Sequence, residues 1–395
     1  MNIRSVTGFI NLTANAHASD FRILREFYRA ARENFTSAGF PVQTVRLATQ
    51  SLAEIAPRNL KEFARELSVV RPGDADYISL GALPGEHPLM QALPDALAST
   101  ANVFGAAHIA AFNTGINLTA IKNSARVMRA LSESTDAGFG NLRFAALANC
   151  PPHSPFFPAA YHDGGTPAFA LATEAAPLAV DAFHRATSLT QARANLIDAI
   201  ENASNAIVPI ANELAARFNF RFAGIDFSLA PFPQDSHSIG TAIEKLTGAK
   251  FGEQGTLFAS AFLTDCINRA KFPRTGFSGL MFPVLEDSTL GANSPRYALD
   301  SLLLYSTVCG TGLDTIPLPG DTSADALAAI LLDLATLAVK LNKPLTARLM
   351  PLPGLHVGDP THFEFEYFAR AHVMSPNASA LKFFARDDRV EFISR

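Results

Sequence analysis

Charge and cysteine are both scarce in this sequence. Charged residues make up 17% of the 395 positions and hydrophobic residues 48%, the reverse of the balance that leaves a chain disordered. A formal net charge of -4 gives no global basic footprint, so a nucleic-acid partner has no electrostatic support. The three cysteines, Cys150, Cys266 and Cys309, are too widely spaced for a disulfide framework or a zinc knuckle and suit a reducing cytosol. No stretch approaches the roughly 20 apolar residues of a membrane span, and the opening Met-Asn-Ile-Arg-Ser-Val has no apolar signal core. Walker A, a strand-following Gly-x-Gly-x-x-Gly, a Gly-x-Ser-x-Gly elbow and Cys-x-x-Cys are all missing, which withdraws support from ATP hydrolysis, NAD redox chemistry and serine esterase chemistry. The expectation is a cytoplasmic globular protein with no nucleic-acid or membrane partner. Its low-charge surface is compatible with a homo-oligomer, a dimer being the commonest closed form.

What is present is a sustained alternation of strand and helix patterns. Ile3 to Leu12 reads as a strand, and Ser19-Asp20 can cap a helix from Phe21 to Ala38, where Leu24, Phe27, Tyr28 and Ala31 share one stripe. Strands are expected at Val42 to Leu47, Tyr77 to Gly81, Val103 to Phe112, Leu142 to Ala148, Phe222 to Leu229 and Leu280 to Val284. Helices are expected at Asn59 to Leu67, Pro94 to Thr100, Leu118 to Leu131, Leu189 to Phe218, Glu253 to Arg269, and from Asp321-Thr322 to Leu341. Phe363 to Val373 and Val390 to Ser394 read as closing strands. Pro-rich segments, including Pro317 to Pro319 and Pro344 to Pro360, fall between elements. Such alternation implies a mainly parallel sheet covered by helices, in one domain over 1–395.

Reactive groups in parallel α/β folds usually lie in loops after strands, and several such segments carry polar residues. Asp226 and Ser228 share a strand face by period two, either as ligands or with Asp226 bound to backbone. Asp235 and Ser236 then precede a helix, as an anion site or as a cap. The adjacent acids Glu286 and Asp287 could bind a divalent metal or divide acid and base roles, or be solvated loop acids. Cys309 enters a Gly-rich turn through Gly310-Thr-Gly312, followed by Asp314, Asp321 and Thr322. Its thiol could be a nucleophile among loop N–H groups or a small buried residue. His162 and Asp163 precede two glycines and could orient a substrate or ligate a metal. Asn117 caps the next helix or binds a ligand carboxylate. His356, Asp359 and His362 match no metal signature.

Taken together, Gly115-Ile-Asn-Leu-Thr-Ala, Asp226-Phe-Ser-Leu-Ala-Pro, Ser278-Gly-Leu-Met-Phe-Pro-Val-Leu-Glu-Asp, Cys309-Gly-Thr-Gly-Leu-Asp and Leu318-Pro-Gly-Asp-Thr resemble, in order and spacing, the family called domain of unknown function 711 (UPF 0210, labelled PFL-like). The resemblance covers nearly the whole chain. It implies a pyruvate formate-lyase-like α/β barrel: two parallel half-sheets set antiparallel to one another, with helices outside and loops projecting inward. The glycyl radical is not implied, because the final segment Asp388 to Arg395 holds no glycine. Cys309 would occupy the inward loop that bears the thiyl cysteine in those enzymes. Relatives encoded beside small ACT-domain proteins hint at amino-acid metabolism.

The functional expectation is a non-radical hydrolase or lyase for a small polar carboxylate or amino-acid-like metabolite. Cys309, Asp226, Glu286 and Asp314 would be catalytic; Asn117, His162, Ser228, Asp235, Ser236, Gly279, Gly312, Asp321 and Thr322 would bind substrate. Glu286 and Asp287 would hold any divalent metal, and no NAD or ATP motif calls for another cofactor. The alternative is a metabolite sensor without turnover.

Overall fold

The computed structural model describes residues 1–15, 21–382, 384 and 387–390. Its strands in chain order are β1 (Asn2–Ile10), β2 (Val42–Ser51), β3 (Tyr77–Pro84), β4 (Val103–Ala111), β5 (Gly115–Asn117) and β6 (Phe144–Ala148). They continue with β7 (Ala168–Glu174), β8 (Arg221–Asp226), β9 (Gly312–Pro319), β10 (Leu345–Leu352) and β11 (Arg389–Val390). All belong to one 11-stranded sheet, in the order β8-β7-β1-β2-β3-β4-β6-β10-β9, with β5 attached to β4 and β11 to β5. β1, β2, β3, β4 and β6 form a parallel run. The parallel pairs β7–β8 and β9–β10 flank it and join it antiparallel, through β1 and β6 respectively. The architecture is mixed α/β with a large, mostly parallel sheet.

The two faces differ in side-chain volume. Along β7, Phe169 and Leu171 pack into the helix-covered core, while Ala168, Ala170 and Ala172 face the other way, the period-two alternation of a strand. Ala48, Ala82, Ala106 and Ala145 add to this second face. Small side chains leave room there for the segment 150–162, which runs across the sheet without a helix. Its carbonyls would be costly to bury unpaired, and strand hydroxyls meet them: Ser5 Oγ and Thr7 Oγ1 donate to Pro155 O at 3.3 and 3.0 Å, and Ser79 Oγ to Ala160 O at 2.8 Å.

The strand ladder is not closed, β8 and β9 being its edges. The segment 273–284 touches both. Ile225 N donates to Pro273 O at 2.8 Å and Thr275 N to Ile225 O at 3.2 Å, while Val284 N donates to Asp314 O at 3.1 Å. Where this segment meets the lead-in to β9, a Cβ on Gly279 would lie 2.4 Å from the Gly310 Cα. Only glycine allows the two backbones that approach.

Several elements depart from the sequence reading. The helix after β1 spans Arg22–Ser37, and its expected cap, Ser19-Asp20, lies outside the described residues. The late helix begins at Ala324, capped by Ser323 rather than Asp321 or Thr322. Leu280 to Val284 forms only an isolated bridge, Pro283 to Asp314, and Phe363 to Val373 only Pro360 to His372. β11 holds Arg389–Val390, the remainder of that expected strand lying outside the described residues. Two segments read as loops are strands: β9 contains Asp314, Pro317 and Pro319, and β10 contains Pro351. Proline disfavours a strand interior but is tolerated at an edge, and β9 is an edge strand. The helix Leu189–Phe218 has the expected bounds. Among the described residues, no helix is long and apolar enough to cross a membrane.

Candidate functional site

The helix-free face gathers the charged side chains. Arg4 of β1 reaches Glu286 at 2.8 Å and Glu174, the last residue of β7, at 3.4 Å. Arg348 of β10 reaches the other oxygen of Glu286 at 2.8 Å and bonds Asp314 of β9 through Nε. Glu286 thus takes one guanidinium on each oxygen, and the five groups form a continuous buried chain. Strand irregularities aim them: the β1–β7 register shifts between Ile3 and Ser5, and the β9–β10 register between Ala347 and Leu349. In β9 the extra residue is relieved at Thr315, whose φ is +45°. Such bulges re-aim side chains beside functional sites.

Burial opposes the charge on Arg348, but Asp314 and Glu286 more than offset it and hold the guanidinium above its ordinary value. Arg46 of β2 is situated differently. Its Nε donates to Thr44 Oγ1 at 2.9 Å, and its guanidinium lies over Tyr77 and Phe157, 5.6 and 5.3 Å from the ring centres. Among the described residues no carboxylate pairs with it. Burial, reinforced by the nearby charge of Arg4, lowers its pKa to about 10. Arg143 is buried too, with its Nε unpartnered and its pKa lowered by burial.

These groups line a cavity of about 130 Å³, closed by Phe104, Phe139, Phe156, Phe157 and Tyr367. That is well under the roughly 300–1,000 Å³ of sites for drug-sized ligands. The wall carries four arginines (Arg4, Arg46, Arg143 and Arg348) against two acids (Glu286 and Asp314). Glu174 behind Arg4 leaves a formal excess of one positive charge. The cavity suits a small anion.

Of the residues singled out in the sequence, Glu286 and Asp314 meet at this cavity. Asp226 lies deeper, its carboxylate accepting from Ser228 N (3.0 Å), Ser278 N (2.9 Å), Phe277 N (2.8 Å) and Ser228 Oγ. Burial outweighs those donors and raises its pKa to about 6. Ser228 Oγ in turn accepts from Gly279 N at 3.3 Å, so this pair ties β8 to the edge-spanning segment. Asp287 is fully buried and accepts from Ser238 Oγ, Ile239 N, Gly240 N, Thr289 N and Leu290 N. It joins two helix N-termini rather than turning beside Glu286. Cys309 is buried, and its carbonyl, with those of Ser306 and Thr307, accepts from Lys343 Nζ; the cavity wall does not include it.

The remaining residues are dispersed. Asn117 caps the helix Leu118–Ser134 through Ala120 N at 2.9 Å. Asp235 and Ser236 are exposed and bond Ser288 and His237. Gly312 opens β9 at φ +96°. Asp321 is exposed, and Thr322 donates to Pro319 O at 2.7 Å. His356 and Asp359 form an exposed contact at 3.5 Å. His162 and Asp163 meet His153, away from the cavity.

Sequence reasoning missed Arg4, Arg46, Glu174, Arg348 and Tyr367. A signal did exist for two of them: an arginine inside a buried apolar strand, as in Ser-Val-flanked Arg4 or in Thr-Ala-Arg-Leu-Met at Arg348, is as unusual as an aspartate there. The profile of the family described as Uncharacterised ACR (DUF711) matches residues 1–366. The chain belongs to this family. A UPF0210 protein of Pyrobaculum aerophilum is 36% identical over 298 residues, 73% of this chain and 65% of the relative, so the chain spans slightly under two thirds of that protein. UPF0210 proteins of Pyrobaculum arsenaticum and Methanococcoides burtonii are 32% and 29% identical, over 85% and 98% of this chain and 79% and 94% of theirs.

Proposed function

We propose that the protein binds a small carboxylate or amino-acid-like metabolite in the arginine-lined cavity and acts on it as a hydrolase or lyase without radical chemistry. Arg46 carries this reading. A guanidinium that no carboxylate pairs with among the described residues, half-buried against aromatic rings, is costly to hold empty and gains a charge-assisted, bidentate partner when an anion enters. Asp314 supplies the proton-transfer group: Arg348 holds its Oδ1, and among the described residues no hydrogen bond engages Oδ2. We take the sheet, with 273–284 bonded to both edges, as a pyruvate formate-lyase-type barrel around this cavity.

The second reading, a sensor without turnover, draws on Glu286, whose two oxygens are both occupied by arginine and which is therefore poorly placed to move protons. The test is a thermal-shift and calorimetric series of mono- and dicarboxylates and amino acids on wild type and Arg46→Ala. A cavity ligand should raise the wild-type melting temperature and lose about tenfold or more in affinity in the variant, the worth of one charged hydrogen bond. Turnover of that ligand, followed by NMR and abolished in Asp314→Asn, selects the enzyme; binding without turnover selects the sensor. Failure of every small anion to bind removes both.

A further inference from the structure

His153, His162 and Asp163 converge on one point. His153 Nε2 lies 3.0 Å from His162 Nδ1 and 3.4 Å from Asp163 Oδ1, and His162 Nδ1 lies 3.3 Å from the same oxygen. Three ligands on one ion at about 2.1 Å stand about 3.0 Å apart when mutually perpendicular and about 3.4 Å apart at tetrahedral angles. The observed triangle has those edges. We infer that these three side chains form a binding site for a divalent transition-metal ion, with its remaining coordination positions open to solvent or substrate. None of the three lines the arginine cavity, so the inference stands apart from the function proposed above.

The surroundings prepare the donors. His162 Nε2 faces Gly165 O at 3.1 Å; a proton held there leaves the Nδ1 lone pair directed at the shared point, the usual second partner of a ligating histidine. His153 sits at φ +63°, a left-handed conformation uncommon outside glycine and asparagine and found at over-determined sites. It is fixed by its N–H to Tyr161 O (2.9 Å), by Thr275 Oγ1 donating to its carbonyl (3.1 Å), and by the edge-on Phe9 ring (4.9 Å). His162 is fixed by its N–H to Thr49 O at 2.9 Å. Both rings are buried, so the site is shielded from bulk water on the imidazole side.

The carboxylate side is open, Asp163 being 46% exposed, as in three-ligand catalytic centres rather than closed structural ones. Gly165 N fixes Asp163 Oδ1 at 3.0 Å. Among the described residues, Arg221 is the adverse charge beside the triad. Its Nη2 is 3.3 Å from each ring nitrogen of His153 and so lies on the lone-pair axis of neither, leaving Nε2 free for an ion. Glu54 acts on His162 with the opposite sign. Two imidazoles and one carboxylate select zinc, iron, cobalt or nickel over magnesium and calcium, which prefer all-oxygen sites.

The test uses the full chain stripped with chelator and titrated with Zn²⁺, Co²⁺ and Mg²⁺ by calorimetry, with Co²⁺ d–d absorption as the spectroscopic readout. The expected result is one saturable Zn²⁺ or Co²⁺ site per chain, no site for Mg²⁺, at least about 100-fold loss in His162→Ala, and about 10-fold or greater loss in Asp163→Asn. Asp163→Asn changes an exposed side chain and keeps the test valid should the histidine variant fold poorly. No saturable site, or a site of unchanged affinity and spectrum in Asp163→Asn and in folded His162→Ala, overturns the inference.

Discussion

Replacing Glu286 with alanine separates two groups of charges that the fold holds together. Arg4 keeps Glu174 at 3.4 Å, and Arg348 keeps Asp314, so neither arginine is stranded completely. Breaking a buried pair costs about 3–5 kcal/mol, and the retained partners place Glu286→Ala at the lower end, about 3 kcal/mol. Unfolding entropy of about 2.1 cal/mol/K per residue amounts, over 395 residues, to about 0.8 kcal/mol/K. The melting temperature should therefore fall by about 3–4 °C. Arg25→Ala is the control, because its ion pair with Asp74 has the same 2.8 Å length but sides 53% and 66% exposed. That pair should contribute under about 1 kcal/mol. Urea titration followed by circular dichroism, at low salt and in 1 M NaCl, measures both. Exposed charges are screened at high salt and buried ones much less, so the Glu286→Ala deficit should survive salt. Equal losses in the two variants, or a Glu286→Ala deficit erased by salt, would refute the argument that burial rather than distance sets the worth of this network.

Two further outcomes follow from the buried aspartates. Asp226 has a folded pKa of about 6 against about 3.9 unfolded. Between those values the folded chain keeps a proton that the unfolded chain has lost, so stability should fall as pH rises from about 4 to about 6 and stay level above, by at most about 3 kcal/mol. Asp226→Asn should flatten that slope in pH-dependent urea midpoints; an unchanged slope assigns it to other groups. Asp287→Ala removes a helix cap and leaves two donors, the Ser238 O–H and Ile239 N–H, without their acceptor. A cap is worth about 1 kcal/mol and each buried unpaired donor about 1–3 kcal/mol, so the loss should be about 3–7 kcal/mol, seen as a lower urea midpoint at unchanged slope. A loss under 1 kcal/mol would show that water reaches these groups.

Local pattern determined much of the secondary structure. Apolar spacing placed the helix Leu189–Phe218 and the capped helix after Asn117, because a helix or a half-buried strand writes its period into consecutive residues. β7 escaped notice: Ala-Phe-Ala-Leu-Ala-Thr-Glu alternates by size rather than by polarity, since both of its faces are buried. β9 and β10 were hidden by prolines: β9 is an edge strand, which tolerates them, and Pro351 lies in the part of β10 beyond its pairing with β6. The acids Glu286 and Asp314 were legible as charges at the margins of apolar runs. Their partners Arg4 and Arg348 were marked only as arginines inside apolar strands; nothing local says which acid each will meet.

Tertiary structure alone decided which charges meet. Arg4 and Glu286 are 282 residues apart, Arg348 and Glu286 62. Ion pairing acts through space while periodicity acts along the chain, so strand order and two register shifts had to bring those side chains to one face. His153 joins His162 and Asp163 for the same reason. A segment without regular structure, held against alanines by strand hydroxyls, folds back until its two ends touch.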